Sequence, residues 1–152
     1  MSSVIHSLLF SLGGELFGIS VENVLRVINL EKVISIPKAP PFIKGAINLE
    51  GNVVPVVNLA KKIDLDHTQS TEQNKVIILE VNHDDETIQV GVLIDEVLDV
   101  VSMEPSKIIP PPMERMGFDT NTLDGMYKVD NDFYMILNTR KVFERELVEM
   151  VH

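Results

Sequence analysis

Apolar residues along the chain fall into short runs of Val, Ile, Leu and Phe, separated by Gly, Asn, Asp and Pro. Such runs, bounded by turn residues, predict β-strands rather than helices. Strands are predicted over residues 7–12, 15–19, 75–82 and 87–94, and strand hairpins over 44–59 and 125–138. A bent segment near residues 21–24, and another near 95–98, leads into a further strand. The pattern therefore predicts about five short strands in each half of the chain.

The two halves of the chain repeat the same pattern. Gly18–Val27 matches Gly91–Val100 at an offset of 73 residues, with identical residues at four of the ten positions. At the same offset Ile36-Pro37 meets Ile109-Pro110, and the final hairpins match at an offset of 80. Because self-similarity at a fixed spacing indicates repeated structural units, we interpret the chain as an internal duplication.

Five short strands per half suit a small barrel, because closure of the sheet removes the exposed edges that promote aggregation. The sequence therefore predicts a mostly β chain, with a first barrel over about residues 8–66 and a second over about 75–140. Together they account for about four fifths of the 152 residues.

Two helices and one long loop complete the prediction. A short helix is expected over 59–63 and a C-terminal helix over about 139–151, with Phe143, Leu147 and Met150 on one face. This face is expected to pack on a barrel, and binding in a partner's groove is the alternative. The Pro-rich loop over 105–125 is interpreted as a surface loop packed by its own apolar residues, with partner binding as the alternative.

The net charge of the chain bears on which classes of partner it binds. Thirteen Lys and Arg residues stand against 23 Asp and Glu residues, which gives a net charge of −10. Binding to nucleic acid or to an anionic membrane normally needs a basic surface, so we expect no nucleic acid and no direct membrane insertion. A partner with a basic or apolar surface fits the charge, although acidity also serves solubility. Cysteine is absent, and no apolar run reaches the roughly 18 residues of a spanning helix. The expected location is the cytoplasm.

No arrangement of residues predicts catalysis. The sequence contains no nucleophile motif of the form GxSxG, no phosphate-binding GxxxxGK[ST] loop and no GxGxxG. His83–Glu86 concentrates potential metal ligands, but the repeat places this stretch in a hairpin turn, where Asp and Asn are ordinary residues. We therefore expect no enzyme, no metal and no cofactor, with a metal at this turn as the alternative.

Four stretches together resemble the CheW-like domain of bacterial chemotaxis coupling proteins. They are FGISVENVLRVI from Phe17, PFIKGAINLEGNVVPVVNL from Pro41, VGVLIDEVLDVV from Val90 and LDGMYKVDNDFYMILNT from Leu123. The resemblance implies two intimately packed SH3-like five-stranded β-barrels, with short helices and a C-terminal helix. It implies a non-catalytic adaptor in the cytoplasm, recruited to membrane receptor arrays. Its implied partners are the regulatory domain of a CheA-type histidine kinase, on the first barrel, and the cytoplasmic tip of a chemoreceptor, between the barrels.

The resemblance also carries over candidate partner-binding residues. They are Val24, Arg26, Gly45, Asn48, Glu50 and Gly51. The residue types alone fit structural roles equally well: core packing for Val24, a position without Cβ for Gly45, and a side chain bound to its own backbone for Asn48. Asn58 and Asn138 occupy equivalent positions in the repeat, so we interpret both as structural.

One departure from the family pattern involves two charges. The family usually has Arg where this chain has Glu50, and often has Glu where this chain has Arg26. We hypothesise an ion pair between two neighbouring strands that is kept with its polarity reversed, and that selects a partner whose facing charges are also altered. Two unrelated surface changes are the alternative.

Other functions remain open at this stage. One is a CheW-like adaptor of a twitching or other non-swimming chemosensory pathway. Another is a small peptide- or ligand-binding barrel unrelated to receptors. The acidic charge and the scarcity of aromatic residues, two Tyr and no Trp, argue against a barrel that binds single-stranded nucleic acid.

Overall fold

A computed structural model describes residues 4–63, 65, 74–83, 85–110 and 120–144, excluding the side chains of His83 and Thr120. Within these residues the chain forms ten strands: β1 (Ile5–Leu12), β2 (Glu15–Ser20), β3 (Val24–Asn29), β4 (Ile43–Leu49), β5 (Asn52–Asn58), β6 (Lys75–His83), β7 (Glu86–Ile94), β8 (Glu96–Met103), β9 (Leu123–Val129) and β10 (Asp132–Leu137). Two four-residue helices are present, α1 (Leu59–Lys62) and α2 (Thr139–Val142), with three shorter 3-10 helices at Val21–Asn23, Pro105–Lys107 and Thr120–Thr122.

The ten strands form two five-stranded sheets with the same internal order. One sheet, here the contiguous sheet, has the order β3-β6-β7-β5-β4 and uses consecutive strands of the chain. The other, here the split sheet, has the order β8-β1-β2-β10-β9 and combines the first two strands with the last three. Each strand of one sheet has its repeat partner at the same place in the other, which supports the predicted duplication. The prediction of a mostly β fold with five strands per unit is confirmed.

The predicted barrel boundaries are wrong. Neither 8–66 nor 75–140 corresponds to a sheet, because the two halves exchange their first hairpins: β1–β2 pairs with β8 and β10, and β6–β7 pairs with β3 and β5. Sequence similarity cannot detect this exchange, because the two hairpins have similar sequences. Each hairpin could pair with the edge strands of either half.

Each sheet closes on itself through the segment that follows its edge strand. Ile34, after β3, exchanges two backbone hydrogen bonds with Ala46 of β4, with N–O distances of 2.7 and 2.8 Å. Ile109, after β8, does the same with Met126 of β9, at 2.9 and 2.8 Å. The structural repeat therefore aligns Ile34 with Ile109. The match of Ile36 with Ile109 at an offset of 73 is wrong, because the second copy has two more residues before this bridge.

The exchanged hairpins bury both faces, because side chains alternate between two cores. In β1, Leu8, Phe10 and Leu12 face a core that is shared by the two sheets, whereas Leu9 faces the interior of the split sheet. In β6, Ile77, Leu79 and Val81 contribute to the shared core, whereas Val76 and Ile78 face the interior of the contiguous sheet. Burial of both faces explains why these strands are nearly continuous apolar runs rather than alternating patterns.

The N-terminal ends of α1 and α2 agree with the predicted structural role of the two repeated asparagines. The Asn58 side chain accepts a hydrogen bond from the Lys61 amide at 3.2 Å, and Asn138 caps α2 through the Lys141 amide at 3.0 Å. Phe143 follows α2 and is buried in the shared core. The rest of the predicted C-terminal helix, including Leu147 and Met150, lies outside the described residues, as do residues 111–119 of the Pro-rich loop.

Ser7 is a buried polar residue that lines a cavity of about 510 Å³. Its hydroxyl is fully buried and has no hydrogen-bond partner among the described residues. The strand registers place Ser7 opposite Val101 and Val76 opposite Ile28, so Ser7 and Val76 are equivalent in the repeat. An unsatisfied buried hydroxyl is therefore expected to destabilise the fold at a position where the other copy has an apolar side chain.

Substitution Ser7→Ala is expected to raise the free energy of unfolding by about 1 kcal/mol, because it removes this unpaired group at little cost in volume. Urea denaturation followed by circular dichroism measures the change. The mirror variant Val76→Ser is the control and is expected to lose about 2 kcal/mol. A loss of stability in Ser7→Ala would show that the hydroxyl is satisfied.

Candidate protein-interaction surface

The six candidate residues lie around the place where the contiguous sheet closes, and Gly45 of β4 is next to the closing bridge. Val24 and Arg26 belong to β3, Asn48 belongs to β4, and Glu50 and Gly51 form the turn that connects β4 to β5. Strands β3 and β4 are opposite edges of the sheet, and the Ile34–Ala46 bridge brings them together. The structure therefore gathers residues that are up to 27 positions apart in sequence into one surface.

Arg26 and Glu50 form the predicted ion pair. The Nη2 atom of Arg26 lies 3.0 Å from the Oε1 atom of Glu50, with the two side chains 43% and 74% exposed. A pair this exposed contributes only about 0–1 kcal/mol to stability, because water competes for both charges. Its effect is therefore expected on partners, since the guanidinium and carboxylate remain accessible at the barrel closure.

The turn that carries Glu50 has an unusual backbone. Glu50 and Gly51 both have positive φ, +52° and +89°, as in the two-residue hairpin turns that favour Asn or Asp followed by Gly. The Asn48 side-chain oxygen accepts a hydrogen bond from the Gly51 amide at 3.0 Å. Asn48 thus has the structural role that its residue type indicated. The turn fixes the direction in which the Glu50 side chain leaves the hairpin.

Val24 and Gly45 lie beneath the exposed residues of this surface. Val24 is half-buried and packs against the shared core. Gly45 is buried at a β-bulge, with φ of +155°, and a Cβ atom there would lie 2.5 Å from the Ile34 carbonyl oxygen and 2.4 Å from Cγ1 of Val33. Gly45 is needed for the close approach of the closing segment to β4.

Sequence reasoning missed the apolar part of this surface. Leu25 lies at a β-bulge in the pairing of β3 with β6 and is 47% exposed, and Val27 and Ile34 are exposed as well. The bulge turns Leu25 outward, and such an irregularity cannot be derived from the apolar pattern. The exposure recurs in the second copy of the repeat, because Leu98 and Val100, the equivalents of Leu25 and Val27, are also exposed.

A groove lies beside the ion pair, between β3 and β4. It encloses about 700 Å³, and we call it the β3–β4 groove. Its lining residues are Val27, Ile28, Asn29, Glu31, Lys32, Ile34, Ile47, Asn48, Leu49 and Lys75. Apolar side chains on its walls and charged side chains at its rim are the features of a binding site rather than of a packing defect.

The described residues contain no group of three or more His, Asp or Glu side chains that could hold a metal ion. Asp84 and the side chain of His83 lie outside the described residues, so the turn considered for a metal is only partly covered. None of the helices in the described part of the chain is long and apolar enough to span a membrane.

The comparisons with known proteins agree on one family. The sequence model of the CheW-like domain matches residues 6–147. The chemotaxis protein CheW of Bacillus subtilis (strain 168) is 30% identical over 140 residues, which cover 91% of this chain and 86% of that protein. CheW of Treponema pallidum (strain Nichols) is 26% identical over 148 residues, covering 94% and 85%.

A solved structure has the same fold. The crystal structure of the scaffolding protein TtCheW from Thermoanaerobacter tengcongensis is matched with a TM-score of 0.79 and 28% sequence identity, over 94% of this chain and 90% of that one. That structure contains two SH3-like barrel domains, so the match confirms the predicted fold class.

Proposed function

The chain belongs to the CheW-like domain family, and we propose that it is a non-catalytic adaptor that couples chemoreceptors to a CheA-type histidine kinase. The family match over residues 6–147 carries this proposal, because it spans both sheets. The relatives named chemotaxis protein CheW and the match to a scaffolding protein support it. The proposal places the adaptor in the cytoplasm, at membrane receptor arrays.

The proposed contacts are with the regulatory domain of the kinase and with the cytoplasmic tip of a receptor. The surface around Arg26 and Glu50 suits such contacts, because exposed apolar side chains adjoin exposed charges. Interfaces of signalling proteins combine an apolar centre with a polar rim in this way. Leu25 and Val27 supply the apolar component of this surface.

Calorimetric titration with the CheA regulatory domain from the same organism tests the kinase contact. Saturable one-to-one binding at micromolar affinity or better is the expected result. A second assay measures kinase activity in receptor-containing membranes with and without the protein, and we expect receptor control only when the protein is present. Absence of binding and of receptor control, with all proteins folded, would contradict the adaptor function.

We further propose that the polarity of the Arg26–Glu50 pair helps to choose the partner. Both side chains are accessible, and the turn holds Glu50 in one direction. Charges at the rim of an interface change association rates and exclude wrong partners more than they change fold stability. A partner that matches this chain is therefore expected to carry facing charges of the corresponding reversed polarity.

A double-mutant cycle on Arg26→Glu and Glu50→Arg tests this proposal. Each single variant places two like charges at the barrel closure, so we expect a loss of about tenfold in affinity for the kinase domain, or about 1.4 kcal/mol. The double variant restores an ion pair of the opposite polarity, so it is expected to bind more tightly than either single variant but more weakly than the unaltered protein. Full recovery of affinity in the double variant would contradict the proposal that polarity chooses the partner. Binding is measured calorimetrically at two salt concentrations, because screening should shrink the effect.

The Lys107–Glu104 pair provides a matched control. Its Nζ–Oε2 distance is 3.5 Å and its side chains are 66% and 55% exposed, comparable with the first pair. Reversing these two charges is expected to leave kinase affinity unchanged. If the double variant at Arg26 and Glu50 recovers no more binding than the single variants, the two charges act independently and the pairing hypothesis is wrong.

A further inference from the structure

The duplication allows the β3–β4 groove to be compared with the equivalent place in the split sheet. The closing bridges align Ala46 with Met126, so Ile47 of the groove corresponds to Tyr127. Both side chains point toward the interior of their own sheet, because Ile47 belongs to the core of the contiguous sheet and Tyr127 packs on the core of the split sheet. The two copies thus differ at this position by an entire aromatic ring, and on the neighbouring strand Tyr134 takes the place of Val54.

Tyr127 also has a polar partner. Its hydroxyl oxygen accepts a hydrogen bond from the backbone amide of Glu104 at 3.2 Å. The strand registers keep the offset of 73 residues to the ends of β3 and β8, so Glu31, just after β3, corresponds to Glu104, just after β8. Glu31 lines the β3–β4 groove. The Glu31 amide donates no hydrogen bond to another described residue. One copy therefore contains a phenol ring with its hydrogen-bond donor, and the other contains an open groove with a backbone donor available.

We propose that the β3–β4 groove binds the side chain of a tyrosine from a protein partner. The ring would contact Ile28, Ile47 and Leu49, and its hydroxyl oxygen would accept a hydrogen bond from the Glu31 amide, as Tyr127 does in the other copy. The groove volume of about 700 Å³ exceeds that of one side chain, so flanking residues of the partner enter as well. Buried aromatic side chains are frequent anchors of protein interfaces, because they bury much area with few rotatable bonds.

The rim of the groove indicates the sequence around that tyrosine. Lys32 and Lys75 lie at the rim, and the Lys75 ammonium donates a hydrogen bond to the side-chain oxygen of Asn29. The two ammonium groups outnumber the single carboxylate of Glu31. The groove thus offers local positive charge on a chain of net charge −10, and favours acidic residues beside the partner's tyrosine.

Titration of the isotope-labelled protein with p-cresol, the side-chain analogue of tyrosine, tests the site directly by NMR. We expect saturable shifts in the amide signals of Glu31, Ile47 and Leu49, with a dissociation constant in the millimolar range that fits so small a ligand. A blocked acidic peptide, Glu-Tyr-Glu, is expected to bind more tightly than Lys-Tyr-Lys or Glu-Ala-Glu. No saturable shift, or shifts confined to other surfaces, would overturn the proposal.

Two reciprocal variants provide the matched control. Ile47→Tyr is expected to fill its own groove in the manner of Tyr127 and to abolish binding of p-cresol. Tyr127→Ile is expected to open an equivalent groove in the split sheet and to add a second set of shifts around Glu104. Unchanged shifts in a folded Ile47→Tyr variant would overturn the proposal. If either variant fails to fold, the wild-type titration with the three peptides still decides the question.

The groove proposal and the adaptor function can fail separately. The titration with p-cresol needs only the protein, whereas the adaptor assays need the kinase domain and receptor membranes. Binding of p-cresol together with normal kinase binding by Ile47→Tyr would assign the groove to a partner other than the kinase domain.

Discussion

Substitution Gly45→Ala is expected to lower the free energy of unfolding by about 3 kcal/mol, because strain and overpacking add at this position. An added Cβ would lie 2.5 Å from the Ile34 carbonyl oxygen and 2.4 Å from Cγ1 of Val33. The Ile34 oxygen is held by its hydrogen bond from Ala46, so it cannot move without opening the bridge that closes the sheet. Chemical denaturation measures the loss.

Gly51→Ala is the matched control, because this glycine also has positive φ but an added Cβ would meet nothing within 4 Å beyond its chain neighbours. It is expected to cost about 1 kcal/mol, from backbone strain alone. Gly125→Ala should behave like Gly45→Ala, since its Cβ would lie 2.4 Å from the Ile109 carbonyl oxygen. Equal effects of Gly45→Ala and Gly51→Ala would show that the close approach is not what selects glycine.

Substitution Phe10→Ala is expected to cost about 4 kcal/mol and to unfold both sheets together. Phe10 is fully buried in the shared core, and its ring stacks on that of Phe17 with centroids 5.8 Å apart. The cavity left by the ring would face both sheets, because the exchanged hairpins meet there. Reporters in either sheet should therefore show the same loss of stability.

Two reporters can be followed in one urea titration. Fluorescence of Tyr127 and Tyr134 reports on the split sheet, since the chain has two Tyr and no Trp. Burial, and then the carboxylates of Asp132, Asp130 and Asp99, raise the pKa of Tyr134, so this ring stays neutral at the pH of the assay. Amide signals of Val56 and Val92 report on the contiguous sheet.

Coincident midpoints for the two reporters, both shifted by Phe10→Ala, are the expected outcome of a shared core. Phe133→Ala is the control, because Phe133 is 47% exposed and its removal should change stability by about 0.5 kcal/mol or less. Separate midpoints would contradict the shared core, since the two sheets would then unfold as independent units.

Local sequence patterns predicted most of the strands because each hairpin is defined by its own residues. The apolar runs around Phe10 and Ile77, and the turn at Glu50-Gly51, needed only short-range information. The exchange of hairpins could not be predicted in this way, since the choice between β8 and β3 as the partner of β1 depends on contacts distant in sequence. Because the two repeats have similar apolar patterns, both choices look equal.

Some residues of the candidate site could be predicted from the sequence and others could not, for similar reasons. Opposite charges at Arg26 and Glu50 stood out against the family pattern, and the structure places them 3.0 Å apart. Leu25 was missed because its exposure arises from a bulge in the β3–β6 pairing. Gly45 was noted as a position without Cβ, but the reason for it, the crossing backbone at Ile34, appears only when the sheet closes.

The exchange of hairpins also sets an order of events during synthesis. The contiguous sheet is complete once residue 94 has left the ribosome, whereas β10 of the split sheet ends 43 residues later, at Leu137. At about 5–20 residues per second this interval lasts roughly 2–9 s. Strand β8 is made early in this interval and can pair with β1, but the edge of β2 stays unpaired until β10 is made, and unpaired strand edges readily join other chains. Accurate assembly of this adaptor therefore depends on protecting its first hairpin until its last strands are made.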